Sequence, residues 1–176
     1  MKKLLLIIFL LSSVLVAQEK KKNDVWNPLQ FLIGKWEGRG EGKFGSSTVE
    51  RKYKFIMGGT FILGLNNSFY EKQEKNPEGE IHDNWDIFSY DKGKKKYMLR
   101  QFHAEDIVNT YSMDSSLAAE GKIELITESI ENFGTGWKAK EVYEVINENE
   151  FIEIFYLAPP GKDFTEYVRN TFKRIE

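Results

Sequence analysis

The sequence contains no cysteine and only two histidines, His82 and His103, among its 176 residues. Without cysteine the chain forms no disulfide, offers no thiolate to a metal ion and has no thiol nucleophile. A lipid anchor attached to a cysteine after a leader is excluded for the same reason. Only 4 prolines are present, so the composition is compatible with long uninterrupted strands. The folded part of the chain must therefore be stable through its own packed core.

The chain has no excess of positive charge, because its 25 Lys and Arg residues are balanced by 27 Asp and Glu residues. A nucleic-acid binder normally carries a basic patch or stripe, so we predict no nucleic-acid partner. Hydrophobic residues make up 41% of the chain and aromatic residues 14%. This composition predicts a packed globular domain rather than disorder.

The first residues have the layout of a secretory signal peptide. Lys2 and Lys3 precede an unbroken apolar run from Leu4 to Leu11, and Ala17 is a small residue suited to the position before a cleavage point. The run is too short for a typical transmembrane helix, although Leu15 leaves an uncleaved N-terminal anchor as the alternative. We predict a signal peptide at 1–17, a polar linker at 18–25 and one domain at 26–176. The mature protein is then exported to the periplasm or secreted, without a transmembrane span.

From Trp36 onward the polarity of the sequence alternates with a period of two. Val49 and Tyr53, for example, alternate with the charged Glu50, Lys52 and Lys54. This period is typical of strands with one face in water and the other in a core, and the short turns between the segments favour antiparallel neighbours. The strand segments are predicted at 36–44, 49–57, 60–70, 81–90, 95–103, 107–113, 122–130, 136–146, 151–157 and 165–175.

About ten strands in one open sheet would leave two exposed edges, and closure removes both. The predicted fold is therefore all-β: an antiparallel up-and-down β-barrel of about ten strands, with a short helix from Trp26 to Ile33 closing one end. The predicted outer faces carry charged residues such as Glu37, Arg39 and Glu41, which excludes the apolar outer band of a membrane barrel.

The segment from Pro28 to Gly42, PLQFLIGKWEGRGEG, contains Gly34-x-Trp36 followed by alternating glycines, Gly38 and Gly40 among them. This opening resembles that of the calycins, the group of lipocalins and fatty-acid-binding proteins. More narrowly it resembles nitrobindin-like barrels and exported bacterial barrels of unknown function. The resemblance implies that a basic residue near the end of the last strand packs across Trp36, and Arg174 matches that position best, followed by Lys173.

Likeness to nitrobindin also implies haem bound by a histidine late in the chain. This sequence departs from that pattern, because no histidine follows His103. The cofactor is therefore left unknown. Haem held by His103, on a different strand, remains an alternative.

The barrel interior is expected to be largely aromatic with a few polar groups that orient a ligand. Alternation does not decide whether His103 and Gln101 face inward, but they are the best polar candidates if they do. Trp85 is expected to face inward because it shares a face with Ile81 and Ile87. The candidate ligand-binding residues are Trp85, Gln101, His103, Asn109, Tyr111, Trp137, Tyr143 and Arg169.

No catalytic residue and no metal site is predicted. His82 and Asp86 share one face of a strand whereas Asp83 lies on the other, so these three do not converge as metal ligands require. Glu105 and Asp106 are expected in a turn, which gives little support to a paired-carboxylate hydrolase.

The function predicted from the sequence is binding of a small apolar or amphipathic molecule inside the barrel, without catalysis. Three alternatives stay open. They are a haem protein with nitrogen-oxide or peroxide chemistry, an enzyme acting on a small lipid or sugar, and a scaffold barrel with a filled interior and a protein partner.

Overall fold

The computed structural model of the chain describes residues 24–114 and 121–176. The predicted signal peptide, 1–17, and most of the predicted linker lie outside the described residues. The chain divides into two compact units, Met1–Phe31 and Leu32–Glu176, and the second contains every strand. A 3₁₀ helix, Asp24–Leu32, begins two residues earlier than the predicted helix and contains Pro28. None of the described helices is long and apolar enough to cross a membrane.

Ten strands follow the helix, as the alternation of the sequence predicts, and each lies close to its predicted segment. A 3₁₀ turn, Met57–Gly59, joins the second strand to the third. The strands are β1 (Gly34–Gly42), β2 (Gly45–Ile56), β3 (Phe61–Tyr70), β4 (Glu80–Asp91), β5 (Lys96–His103), β6 (Val108–Asp114), β7 (Lys122–Glu131), β8 (Lys138–Asn147), β9 (Glu150–Ala158) and β10 (Thr165–Arg174).

The strands form one closed antiparallel barrel in which each strand pairs with its sequence neighbours and β10 pairs with β1. The closing register sets Trp36 opposite Arg174 and Gly42 opposite Val168. Closure gives every strand two hydrogen-bonded neighbours, so no open sheet edge remains. The predicted fold class, an all-β up-and-down barrel, is confirmed.

The two faces of β2 show how the sequence distributes its residues. Val49, Arg51 and Tyr53 are buried, whereas Glu50 and Lys52 between them are exposed. Successive side chains of a strand point to opposite faces, so the charged positions lie in water and the alternate positions fill the barrel.

One end of the barrel is closed by the side chain of Trp36 on β1. Its indole Nε1 donates a hydrogen bond to the carbonyl of Leu32 at 2.8 Å, and its ring meets that of Phe151 edge-on at 4.7 Å. The guanidinium carbon of Arg174 lies 4.0 Å from the centre of the Trp36 ring, in the cation–π contact that the calycin resemblance implies. Lys173, the second match, is exposed.

Two glycines of β1 allow close approach of neighbouring groups. Gly34 has φ +133°, and a Cβ there would lie 2.3 Å from the carbonyl oxygen of Glu176. A Cβ on Gly40 would lie 2.4 Å from both Asn170 Oδ1 and Ser47 Oγ on the flanking strands. At Gly34 the positive φ and the backbone oxygen exclude a side chain, whereas at Gly40 a side chain would displace those of Asn170 and Ser47.

Candidate functional site

The barrel interior is layered along its axis, because inward-facing side chains change character along each strand. On β9, Phe151 lies at the closed end, Glu153 at mid-height and Phe155 towards the other end. On β5 the corresponding residues, from the closed end to the other end, are Leu99, Gln101 and His103. The closed end is therefore a solid aromatic and aliphatic core, and the polar groups lie above it.

A cavity of about 310 Å³ occupies the upper part of the interior. This volume is at the lower end of the range for small-molecule sites. Its polar wall is formed by buried side chains at mid-height, which are Arg51, Asn66, Ser68, Asn84, Gln101, Asn109, Glu141, Glu153 and Asn170. Nearer the mouth, much of the wall is apolar and includes Phe44, Ile107, Ile130, Phe133, Phe155, Leu157 and Val168. The charged or polar residues Lys43, Glu80, His82, His103 and Glu105 also line the cavity.

Arg51 and Glu153 form an ion pair in the polar wall. The distance from Arg51 Nη2 to Glu153 Oε2 is 3.0 Å, and both side chains are less than a tenth exposed. Arg51 also donates to the carbonyl of Asn67 at 2.9 Å, and Asn170 Nδ2 donates to Glu153 Oε2 at 2.9 Å. Burial alone lowers the pKa of Arg51, but the charge of Glu153 and smaller contributions outweigh it, so the guanidinium stays charged.

Asp86, on β4, is a second buried carboxyl of the interior and is fully buried. Asn84 Nδ2 donates to Asp86 Oδ1 at 2.9 Å, and the hydroxyl of Tyr53 lies 3.4 Å from Asp86 Oδ2. Burial raises the pKa of Asp86 to about 7, although hydrogen bonds from Asn66 and Gln101 act in the opposite direction. At neutral pH this carboxyl is therefore divided between its neutral and charged forms.

Glu141 is the third carboxyl of the interior. Its Oε1 accepts from Gln101 Nε2 at 3.4 Å, whereas its Oε2 has no hydrogen-bond partner among the described residues. Burial, and after it the charges of Glu153 and Asp86, raise the pKa of Glu141 well above its ordinary value. Among the described residues, three buried carboxyls thus share the interior with one guanidinium, and burial favours the neutral form of Asp86 and Glu141.

The polar wall presents several buried acceptor atoms that no described residue satisfies. Asn170 illustrates why most of these atoms are acceptors. Its amide nitrogen donates to the Glu153 carboxylate, and its amide oxygen has no partner among the described residues. A buried polar atom without a partner is costly, so each such atom marks a place where a ligand or solvent can bind. The oxygens concerned include Asn66 Oδ1, Gln101 Oε1, Glu141 Oε2 and Asn170 Oδ1. Among the nitrogens of the wall, Arg51 Nε also has no partner among the described residues.

The two histidines of the chain meet at the mouth of the cavity. His103 Nδ1 lies 3.3 Å from His82 Nε2, and His82 Nδ1 lies 2.8 Å from Glu105 Oε1. His103 Nε2 lies 3.2 Å from Asn109 Nδ2. Burial, with a further contribution from the charge of His82, lowers the pKa of His103 to about 4, so its ring is neutral at neutral pH.

Five of the eight candidate ligand-binding residues face the interior. Gln101, His103 and Asn109 line the cavity itself. Tyr111 and Tyr143 are fully buried in the interior, and Asn109 Nδ2 donates to the hydroxyl of Tyr111 at 3.1 Å. The inward direction of His103, which alternation alone left open, follows from the register that sets it opposite Asn84.

The expected inward direction of Trp85 is wrong. Its side chain is 60% exposed, because the inward face of β4 carries Asn84, Asp86 and Phe88 instead. The sequence is misleading here because Ile81 and Trp85 make the outward face of this strand the more hydrophobic one, with Ile81 65% exposed.

Arg169 and Trp137 do not contribute to the cavity wall either. Arg169 lies on the outside of β10, where its Nη2 pairs with Glu166 Oε2 at 2.8 Å. Trp137 lies in the connection between β7 and β8, with its ring edge-on to Phe133 at 5.4 Å. Both had been selected for chemical type, and neither occupies an inward-facing position of a strand.

Sequence reasoning missed the charged residues of the interior, namely Arg51, Asp86, Glu141 and Glu153. A signal for them exists in the sequence. Arg51 has the same parity as Val49 and Tyr53, and Glu153 lies two residues from both Phe151 and Phe155. A charge at an inward position among apolar residues of a barrel strand is a direct pointer to a polar interior.

Haem does not fit the arrangement around His103. An axial ligand must direct a free imidazole nitrogen into the haem pocket. Nδ1 of His103 instead faces the His82 ring at 3.3 Å and Nε2 faces the Asn109 amide at 3.2 Å, so neither nitrogen has room in front of it for a planar macrocycle. We therefore derive no function through haem.

The chain matches no known protein-family profile and no curated protein. It does match solved structures, among them the crystal structure of Rv2717c from M. tuberculosis. The TM-score is 0.65 at 17% sequence identity, over 87% of this chain and 98% of that chain. This likeness supports the barrel fold, and at such low identity it carries no statement about function.

Proposed function

We propose that the protein binds a small amphipathic molecule inside the barrel, with the polar end of the ligand at mid-height and its apolar part towards the mouth. The observation that supports this proposal is the set of buried acceptor oxygens on the cavity wall that no described residue satisfies. A barrel evolved only for stability would be expected to fill this layer with apolar side chains, because unpaired buried polar atoms destabilise the fold.

The excess of acceptors indicates that the polar end of the ligand carries hydrogen-bond donors. Amine and hydroxyl groups are the common donors of this kind, and an ammonium group also supplies the charge that the interior lacks. A cation near Glu141 and Asp86 would favour their ionised forms, which burial now disfavours. A ligand with a carboxylate, in contrast, would lie near the three carboxyls of the interior, and Arg51 is already paired with Glu153.

The apolar mouth defines the other half of the ligand. Phe155, Leu157 and Val168 come from the ends of β9 and β10 that lie away from Trp36, and Ile107 and Phe133 come from the connections at the same end. Apolar surface removed from water contributes about 25 cal/mol per Å², so a short alkyl or aromatic group would add most of the affinity.

A matched series of eight-carbon ligands tests this proposal: octylamine, octanol and octanoate, titrated by isothermal calorimetry against the untagged domain. We expect one-to-one binding of octylamine and octanol and weaker binding of octanoate. The variant Glu141→Gln removes the carboxyl that a bound ammonium group would ionise, and a hydrogen bond to such a charged acceptor is worth about 1.5–3 kcal/mol. This substitution should weaken the binding of octylamine by about tenfold or more and the binding of octanol less.

Trp85→Ala is the matched control, because this aromatic residue lies on the outside of the same barrel. It should leave all three affinities unchanged. The proposal is wrong if none of the three ligands binds, or if Glu141→Gln and Gln101→Leu leave every affinity as it is in the wild type.

We also propose that the barrel is of the calycin type and that the protein acts after export. The Gly34-x-Trp36 opening and the position of Arg174 across the indole support the first statement. The layout of residues 1–17 supports the second. N-terminal sequencing of the protein recovered from its host tests export, since a chain that still begins at Met1 would contradict cleavage after Ala17.

The scaffold alternative has one observation in its favour and one against it. Phe69, Ile81, Trp85 and Phe102 are exposed on the outer faces of β3, β4 and β5, where Phe69 lies opposite Ile81 and Trp85 opposite Phe102. Such a patch is typical of interaction surfaces. The same alternative requires a filled interior, however, and the cavity of about 310 Å³ is at odds with it.

A further inference from the structure

The only two histidines of the sequence lie side by side, although 20 residues separate them along the chain. His82 is near the start of β4 and His103 is the last residue of β5, and both point inward at the mouth of the cavity. Their facing nitrogens, His82 Nε2 and His103 Nδ1, are 3.3 Å apart. Glu105 follows in the turn after β5, and its carboxylate can also reach the cluster.

Each ring contacts a polar side chain at the nitrogen that faces away from the other ring. Glu105 Oε1 lies 2.8 Å from His82 Nδ1, which places the proton on that nitrogen and the lone pair on Nε2. The side-chain amide of Asn109 contacts His103 Nε2 at 3.2 Å, and the contacting atom is its nitrogen, Nδ2. Histidines that bind metal ions are oriented by this kind of contact at their second nitrogen.

The side-chain amide of Asn109 explains how His103 can also direct a lone pair towards His82. In the arrangement described above, Asn109 Nδ2 points to His103 Nε2 and Asn109 Oδ1 has no partner. Exchanging the two amide atoms lets the oxygen accept from His103 Nε2–H and from the hydroxyl of Tyr111, which lies 3.1 Å from the same amide position. His103 Nδ1 then carries a lone pair.

The separation of the two facing nitrogens matches the distance that a metal ion requires. Zn–N bonds of about 2.0–2.1 Å in tetrahedral geometry separate neighbouring ligand nitrogens by about 3.3 Å. We propose that His82 Nε2 and His103 Nδ1 bind a divalent transition-metal ion such as Zn²⁺, with Glu105 as the positioning residue of His82 or as a third ligand. The remaining coordination positions face water or a molecule in the cavity.

The chemistry of the cluster favours this class of ion over Ca²⁺ or Mg²⁺. Imidazole nitrogen is a preferred ligand of Zn²⁺, Ni²⁺ and Cu²⁺, whereas Ca²⁺ and Mg²⁺ take oxygen ligands. The proposal does not depend on which ligand, if any, occupies the barrel interior.

The experiment is a calorimetric titration of Zn²⁺ into the untagged domain at neutral pH, compared with Mg²⁺. The chain is well suited to it, because it has no cysteine and no third histidine that could bind the ion elsewhere. We expect one Zn²⁺ per chain, no heat from Mg²⁺, and loss of the one-to-one isotherm in both His82→Gln and His103→Gln. Glu105→Gln should weaken binding by about tenfold.

Asp83→Asn is the matched control, because Asp83 lies next to His82 but on the outer face of β4, where Asn67 contacts it. It should bind Zn²⁺ as the wild type does. Thermal unfolding provides a second readout: Zn²⁺ should raise the Tm of the wild type and not of either histidine variant. Zn²⁺ binding of equal affinity and stoichiometry in folded His82→Gln and His103→Gln, or no binding to the wild type, would overturn the proposal.

Discussion

Arg51 on β2 and Glu153 on β9 form an ion pair inside the barrel, with 3.0 Å between Arg51 Nη2 and Glu153 Oε2. The two strands are not neighbours in the sheet, so the pair spans the interior between β2 and β9. Removing two charges from water costs free energy that their attraction only partly returns. The pair is therefore better understood as a part of the polar wall than as a source of stability.

Loss of one partner of this pair should be far more damaging than loss of both. Arg51→Met leaves Glu153 buried without its cation, and we expect the free energy of unfolding to fall by about 3–5 kcal/mol. The double variant Arg51→Met/Glu153→Leu should recover a large part of that loss. Urea unfolding monitored by tryptophan fluorescence measures all three proteins. A double variant no more stable than the single one would contradict this reading.

Arg39→Met provides the control for that experiment. Arg39 and Glu41 are both largely exposed, and their closest charged atoms are 3.9 Å apart. An exposed pair of this kind contributes about 0–1 kcal/mol, so the substitution should change the free energy of unfolding by less than about 1 kcal/mol.

The raised pKa of Asp86 should make the stability of the protein depend on pH. The folded-state pKa is about 7 and the ordinary value is 3.8, so between these values the folded state holds a proton that the unfolded state has lost. Stability contributed by this group therefore falls as the pH rises from about 4 to about 7, by at most about 1.4 kcal/mol per pH unit.

Comparison with Asp86→Asn isolates the titration of Asp86 together with its influence on Glu141, whose pKa the charge of Asp86 raises. We expect the stability of Asp86→Asn relative to the wild type to increase steadily over this pH range. The measurement is urea unfolding of both proteins from pH 4.5 to 8 in the presence of EDTA. A difference in stability that stays constant with pH would show that Asp86 titrates normally in the folded state.

The contact between Arg174 and Trp36 should contribute to stability at the closed end. Arg174→Ala removes the cation–π contact and the hydrogen bond from the guanidinium to the carbonyl of Ile33. We expect a loss of about 1–2 kcal/mol in the free energy of unfolding. Lys173→Ala, at the adjacent exposed position, should change it by less than about 0.5 kcal/mol. Equal effects of the two substitutions would contradict a specific role for Arg174.

Gly34 should be among the positions least tolerant of a side chain. Gly34→Ala combines a backbone φ of +133° with a Cβ that would lie 2.3 Å from the carbonyl oxygen of Glu176 and 2.5 Å from the Arg174 guanidinium. We expect the free energy of unfolding to fall by more than about 1 kcal/mol. Gly161→Ala is the comparison, because Gly161 also has a positive φ, +69°, but has nothing within 4 Å of its Cβ position. Thermal unfolding should show a larger decrease in Tm for Gly34→Ala than for Gly161→Ala.

Much of the fold could be predicted because the relevant signals are local. Glu50, Lys52 and Lys54 alternate with inward-facing residues, and turn residues such as Gly58-Gly59 separate the strands. These patterns predicted ten antiparallel strands in a closed barrel, which the structure confirms. They failed on β4, where the hydrophobic face that includes Trp85 is the outward one.

The site was predicted less completely, because its residues meet only through pairing and closure of strands. Asn109 and Gln101 were selected for their chemistry, and the register of β5 with β6 places them side by side in the wall. Arg51 and Glu153 were not selected, although each sits at an inward position of its strand. Their contact depends on closure of the barrel through β1 and β10, the two strands that lie between β2 and β9.

The sequence by itself determined the strands, their alternation and the closed end around Trp36, because backbone geometry and the burial of apolar side chains act over neighbouring residues. Only the tertiary structure decided that His82 and His103 face each other at the mouth and that three carboxyls share the interior with one guanidinium. Contacts of that kind depend on strand register and on closure of the barrel, and a one-residue slip in register would turn each of these side chains to the opposite face.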